Sequence, residues 1–270
     1  MNSNYDDFYG PKDNANQVYN QNNSYNGYSQ SNDSYSTFEP GYGAPINVQS
    51  MSLRETLTQE VVSKSFLFMF IALMISALGA FVMKPEVAIS LIQGKSYWVV
   101  IIVQFALVLG CNKALSSNAA VLGGVLFVAY SFLTGALFSF LTLVYTASSI
   151  TSAFAITAVV FAIMAIFGLV TKIDLTKFGS LALMALLGMI VASLVNVLIL
   201  RSSALDLGIS IIMVLIFVGL TAYDTQKIKE SVAYSNGNNV LSLSLMGALQ
   251  LYLDFINIFI RILKIFGKRR

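Results

Sequence analysis

Histidine is absent from the 270 residues. That gap removes Ser-His and Cys-His catalysis, imidazole metal ligands and the usual proton switch near neutral pH. Any response to protons near pH 7 must then come from a carboxylate in an unusual setting. Cysteine occurs once, at Cys111, so neither an intrachain disulfide nor a multi-thiolate zinc site can form. Charge is scarce too: 11% of the residues are charged, against about 25% in an ordinary soluble domain. The net charge of +3 is too small, and its cations too scattered, to suggest a nucleic-acid partner. Only four prolines are present, and none follows Pro85.

What the chain has instead is apolar length. Hydrophobic residues make up 56% of it, and the mean hydropathy is +0.73. A lipid bilayer is the solvent that accepts so much apolar surface. Runs near the roughly 20 residues needed to cross the hydrocarbon core predict helices at about 66–83, 97–115, 119–144, 150–171, 179–200, 206–228 and 242–266. Backbone groups in lipid must be satisfied internally, which helices of this length do; barrel strands would be shorter and would alternate. The expected fold is therefore all-α, a polytopic membrane helix bundle of about seven transmembrane helices over residues 66–270.

Residues 1–50 are a different material. Asn14 to Tyr35 is dominated by Asn, Ser, Gln and Tyr, a composition that buries too little surface to offset ordering entropy, so a disordered tail is expected. It lacks the apolar core of a signal peptide. Residues 51–65 read as an amphipathic lead-in segment, because Ser52-Leu53-Arg54-Glu55 and Thr56-Leu57-Thr58-Gln59 both fit a capping pattern. Small residues at four-residue spacing, Ala72/Ser76 and Ser131/Gly135, would let helices approach closely. Lysines and arginines in the short loops (Arg54, Lys64, Lys113, Lys172, Lys177, Lys227 and Lys229) put the N-terminus in the cytoplasm. Arg261, Lys264, Lys268, Arg269 and Arg270 spoil that count if the last segment crosses fully, and strengthen it if that segment dips in and returns.

Of 13 acidic residues, only Asp224 and Asp254 sit within apolar helices. A charge near the bilayer centre costs at least a few kcal/mol, so such residues face a bundle interior or an aqueous cavity and mark function by default. Gln250, Asp254, Asn257 and Arg261 follow i, i+4, i+7, i+11 and form one polar stripe on an otherwise apolar rod. The spans carrying the two aspartates are antiparallel neighbours, so the carboxyls can meet, although helix rise puts them on the order of 10 Å apart in depth. A kink, or a seventh helix starting below the membrane surface, would close that gap. Meeting in a desolvated site, the two could not both ionise easily and would share a proton. Its loss would drive the helices apart. Ionised, the pair offers up to four oxygens to calcium, which takes six to eight, making a weak site suited to transit of calcium ions and protons. The structural alternatives are an interfacial Asp224 satisfied by Lys227, and an Asp254 paired with Arg261. Asn196, Gln104 and Asn257 read first as interhelical hydrogen-bond glue, and Cys111 as a packing residue.

Gly219-Leu220-Thr221-Ala222-Tyr223-Asp224-Thr225-Gln226-Lys227-Ile228, followed by Leu249-Gln250-Leu251-Tyr252-Leu253-Asp254-Phe255-Ile256-Asn257-Ile258-Phe259, resembles the paired signature of the Bax inhibitor-1 family, the transmembrane Bax-inhibitor-motif proteins, in a bacterial-type form. Phe132 to Leu137 and Leu143 to Thr146 look like that family's third segment. The resemblance covers about 60–270. It implies a seven-helix fold with the last helix central, and a pH-sensitive calcium leak governed by an aspartate pair that maps onto Asp224 and Asp254. Some bacterial relatives carry an arginine on the second helix that pairs with the sixth-helix aspartate; here Lys113 is the nearby basic residue, and lysine lacks the guanidinium fork. No cofactor is expected beyond transient calcium, and no enzyme activity.

Two other function classes fit less well. Intramembrane aspartyl proteases also place Tyr-Asp and a second Asp on consecutive helices, but their second aspartate sits in Gly-x-Gly-Asp, whereas Leu251-Tyr252-Leu253-Asp254 is bulky. A non-transporting regulator that binds other membrane proteins is the remaining class; its mark would be a partner that stays bound when both aspartates are lost.

Overall fold

The structure, a computed structural model, describes residues 48–92, 96–232 and 239–270. The tail of residues 1–50 expected to be disordered, all but its last three residues, lies outside them, as do Lys95 and Ser235 to Asn238. Apolar runs without interior breakers become helices: α1 (Val48–Val82), α2 (Pro85–Ile92), α3 (Ser96–Ser116), α4 (Ala120–Phe138), α5 (Leu141–Val144), α6 (Ala147–Val170), α7 (Thr176–Val195), α8 (Ser203–Ser231) and α9 (Val240–Phe266). Seven segments among the described residues are long and apolar enough to cross a membrane: Leu53–Val82, Trp98–Ser116, Ala120–Val144, Ala147–Val170, Thr176–Leu200, Ser203–Ser231 and Val240–Phe266. The chain is a polytopic all-α bundle.

Local chemistry sets the ends. Pro85 opens α2, where its missing N–H costs nothing. Asn118 takes a left-handed conformation (φ 59°) after α3, and Ala119 N–H returns to Ala114 O at 2.9 Å, closing that helix in a Schellman turn. The Thr146 hydroxyl caps α6 by accepting from Ser149 N–H. A π-helical turn, Asn196–Leu200, ends α7 before Arg201 reverses the chain at φ 49°.

Two local expectations change. The lead-in is no separate element: α1 runs unbroken through both capping patterns, because neither Gly nor Pro interrupts the chain between Val48 and Gly79. Thr58 donates back to Arg54 O at 2.8 Å, and Lys64 pairs with Glu60 at 2.7 Å, both within the helix. The third span is also divided. Around Ser139 and Phe140, Ser139 Oγ donates to Ala136 O at 2.8 Å and Thr142 Oγ1 to Ser139 O at 2.7 Å, side-chain bonds that compete with the helical ladder.

α9 is the axis of the bundle. Its span is 67% buried, against 6% for Thr176–Leu200, and α1, α3, α4, α6 and α8 all pack on it. The small-residue pairs face each other where α1 crosses α4: a Cβ on Gly135 would fall inside the Ser76 backbone, and Ser76 Oγ reaches Ser131 O at 2.8 Å. Ser76 Oγ also meets the Tyr252 hydroxyl at 2.7 Å, so one buried hydroxyl joins α1, α4 and α9. The last segment makes a full crossing. Lys268 to Arg270 pair with the Val144–Thr146 turn through Thr146 N–H to Lys268 O at 3.2 Å and Arg270 N–H to Val144 O at 3.0 Å. The C-terminal basic group therefore sits at the end of the bundle opposite the start of the first span, and the dip-and-return alternative does not occur.

Candidate functional site: a buried aspartate pair

Asp254 lies one residue from Leu253, the midpoint of α9, and is only 3% exposed. Asp224 is half-buried, seven residues before the end of α8. Their carboxyl groups interact directly. Both helices are uninterrupted. α9 carries about two more turns between its start and Asp254 than α8 carries between Asp224 and its end, which is the arrangement of a seventh helix that begins further out. Along the same contact Gly247 lets α9 sit against Ile228.

The pair faces a cavity of about 810 Å³ between α3, α4, α7, α8 and α9. Gln250, Asp254, Asn257 and Arg261 all line it, with Asp224 and Lys227; the polar stripe of α9 points inward as its spacing requires. Asp254 Oδ2 has no hydrogen-bond partner among the described residues. Asn257 commits its amide nitrogen to Leu253 O at 2.8 Å, leaving its carbonyl oxygen as the atom available to a ligand. No group of three or more carboxylates or other metal-binding side chains occurs among the described residues, so a cation here would draw on two carboxylates and neutral oxygens.

Neither structural alternative forms a salt bridge among the described residues. Lys113 is exposed at the end of α3, away from the cavity; the nearest cation to Asp224 is Lys227, whose ammonium lies 5.5 Å from the centre of the Tyr223 ring. Arg261 responds to Asp206 rather than to Asp254, and Asp206 is itself held by Lys264. Asp206 and Lys264 were not singled out as a pair by spacing, since their partnership spans α8 and α9. Asn196 ties the end of the fifth span to the N-cap of α8: its side-chain amide clamps both the N–H and the C=O of Ser202, each at 3.0 Å. Gln104 does bridge α3 to α4, meeting the Thr134 hydroxyl at 3.3 Å. Gln226, next to the pair, escaped notice; it ties down the α6–α7 loop through Ile173 O at 2.8 Å and Leu175 N–H at 2.9 Å. Cys111 is buried, as a packing residue would be.

The sequence profile of the family described as "Inhibitor of apoptosis-promoting Bax1" matches residues 58–270, a stretch that contains all seven spans except the first turns of α1. The chain belongs to the Bax inhibitor-1 family. It is 47% identical over 173 residues to the inner membrane protein YbhL of Escherichia coli K12, covering 63% of this chain and 74% of that one. A relative in Borreliella burgdorferi is 39% identical over 219 residues, 79% of this chain and 94% of its own length. One in Deinococcus radiodurans is 44% identical over 167 residues, 62% and 72% of the two chains. This family member is thus a multi-pass integral membrane protein.

Proposed function

We propose that the protein is a pH-sensitive calcium leak gated by a proton shared between Asp224 and Asp254. The reading rests above all on Asp254, a mid-span carboxyl with an unpartnered oxygen, set against a second carboxyl inside a cavity. A lone buried carboxylate costs several kcal/mol unless it is neutralised or paired, and a shared proton supplies that neutrality for both groups. With the proton in place, α8 and α9 are held together. Once it leaves, two like charges repel across the contact between those helices. Four carboxylate oxygens, with the amide oxygens of Gln250 and Asn257, then reach the lower end of the six to eight that calcium takes. A site with only two formal charges binds weakly and suits passage. No catalytic role is assigned to the pair, because Asp254 follows Leu251-Tyr252-Leu253 rather than the glycines that let a peptide backbone approach such an aspartate. Calcium and protons are the ligands, and the inner membrane named for YbhL supports a bacterial plasma membrane as the location. We keep the N-terminus in the cytoplasm on the loop lysines Lys113, Lys172 and Lys177, although the C-terminal cations at the opposite end offset that bias.

The test is calcium flux in proteoliposomes across a pH range, comparing the wild type with Asp224→Asn and Asp254→Asn. The expected result is a flux that varies with pH in the wild type and loses that variation in both variants. Flux indifferent to pH and to both substitutions would sink the reading and favour a non-transporting regulator of other membrane proteins.

A further inference from the structure

The cavity beside the aspartate pair has a second property unrelated to gating. Its long walls are α3, through Val100, Ile101, Phe105 and Val108, and α7, through Leu183, Leu186 and Ile190, and α3 and α7 share no extensive packing contact. Phe105 and Leu183 are exposed, so the space between these helices is a lateral cleft open to the hydrocarbon of the bilayer. Apolar walls facing lipid do not hold water well, and a cleft of this size is filled by a chain of matching chemistry.

Arg261 stands at one end of that cleft. Among the described residues no hydrogen bond or salt bridge engages its guanidinium, which leaves a fork of five donors half-buried against apolar walls. Asp206 lies nearby but gives its Oδ1 to Lys264. With Asp206 paired to Lys264, Arg261 is a cation in excess at that end of the cleft, which calls for an anion. The depth fits as well. Asp206, whose charge acts on Arg261, is three residues from the start of α8, about 5 Å along the axis, so the pair lies toward one end of that span, and an arginine stem snorkels toward the interface there. Its guanidinium therefore reaches the level of lipid phosphates, for which the planar fork is the best protein ligand.

We propose that the cleft between α3 and α7 binds one acyl chain of an anionic phospholipid whose phosphate is held by Arg261. The acyl chain shares this cavity with Asp224 and Asp254, but the assignment stands on the cleft walls and the guanidinium, and its test reads bound lipid rather than ion flux.

The experiment places the full chain in nanodiscs of mixed phosphatidylglycerol and phosphatidylcholine and counts retained lipid by native mass spectrometry after detergent exchange. About one phosphatidylglycerol per chain is expected, in preference to phosphatidylcholine. Arg261→Gln should lower that retention about tenfold, the loss of one charge-assisted hydrogen bond or more, while Arg261→Lys keeps part of it. Leu186→Trp, which fills the cleft and leaves Arg261 in place, should lose retained lipid of both kinds at unchanged thermal stability. Equal retention of the two lipids by the wild type, or an Arg261→Gln variant that retains phosphatidylglycerol as the wild type does, overturns the proposal. Displacement of the lipid by millimolar inorganic phosphate overturns it too, by showing an anion site without a chain. Displacement by oleate as readily as by phosphatidylglycerol overturns the assignment to a phospholipid.

Discussion

Asp254 meets Asp224 beside the cavity, on two unbroken helices, and among the described residues no salt bridge engages either carboxyl. Each aspartate has a basic residue within a few positions in sequence, and neither forms a salt bridge with it among the described residues. The acids face each other, while Lys227 lies over the Tyr223 ring and Arg261 is near Asp206, both at the rim of the same cavity. A pair so arranged is held together by a proton or a bound cation rather than by a structural ion pair.

The α1–α4 crossing is the tightest backbone approach that was legible beforehand. Gly135→Ala should destabilise the protein by about 1–3 kcal/mol, because the new methyl meets backbone that has no flexible end to yield. Gly188 has open space around it, so Gly188→Ala should stabilise α7 by roughly 0.5–1 kcal/mol through helix propensity alone. Unfolding in mixed detergent micelles distinguishes the two; equal effects would show that the crossing is looser than described.

Tyr252→Phe removes the hydroxyl that Ser76 meets at 2.7 Å. Ser76 has a single hydroxyl proton and two carbonyls in reach, Ala72 O at 3.0 Å and Ser131 O at 2.8 Å, so it accepts from Tyr252 while donating to one of them. A cost of about 1 kcal/mol is expected, with Ser76→Ala and the double variant showing coupling in a mutant cycle. Additive losses would mean the two hydroxyls do not bond.

By contrast, Lys264→Ala should cost less than about 1 kcal/mol, since both partners of the Asp206–Lys264 pair remain 29% exposed and partly screened. A larger loss in the same unfolding assay would assign that pair a structural weight its exposure does not support.

Acid should loosen the start of α7. Asp174 lies in the loop before that helix, and hydrogen bonds from Thr176, side chain first and then the backbone N–H at 2.8 Å, hold its carboxyl below the ordinary carboxylate range. A depressed folded value means the stabilisation is fully present above the unfolded value and is lost as pH falls through the folded one. Protection factors from hydrogen exchange at Thr176 to Gly179, corrected for the intrinsic rate at each pH, should therefore fall on acidification through and below the carboxylate range in the wild type. In Asp174→Asn the protection should not respond to that acidification; a wild type equally unresponsive would show that the Asp174–Thr176 bonds do not hold the start of α7.

Much of this was written in the chain because lipid enforces it. Span positions follow from apolar length, and the stripe Gln250, Asp254, Asn257, Arg261 faces one cavity because helical spacing allows no other shared side. Ala72/Ser76 and Ser131/Gly135 were legible as close-approach pairs, though not as partners of one another, since spacing within a helix says nothing about which helix lies opposite. The continuity of α1 was hidden by capping patterns that are outweighed where no breaker interrupts the run. The division at Ser139 and the Asn196 clamp depend on side-chain bonds to local backbone that many sequences could make and few do. Lys113 and Lys227 could not be ranked as neighbours of Asp224 without knowing the rotation of α3, which its nearly uniform apolar surface conceals.

Infrared difference spectroscopy of the purified protein in lipid reads the shared proton directly, through the carbonyl stretch of a protonated side-chain carboxyl. One such group per chain, present at neutral pH, lost on alkalinisation and missing from Asp254→Asn, is the result expected. Finding both carboxyls ionised at neutral pH in the wild type, or a spectrum unchanged by Asp254→Asn, would contradict it.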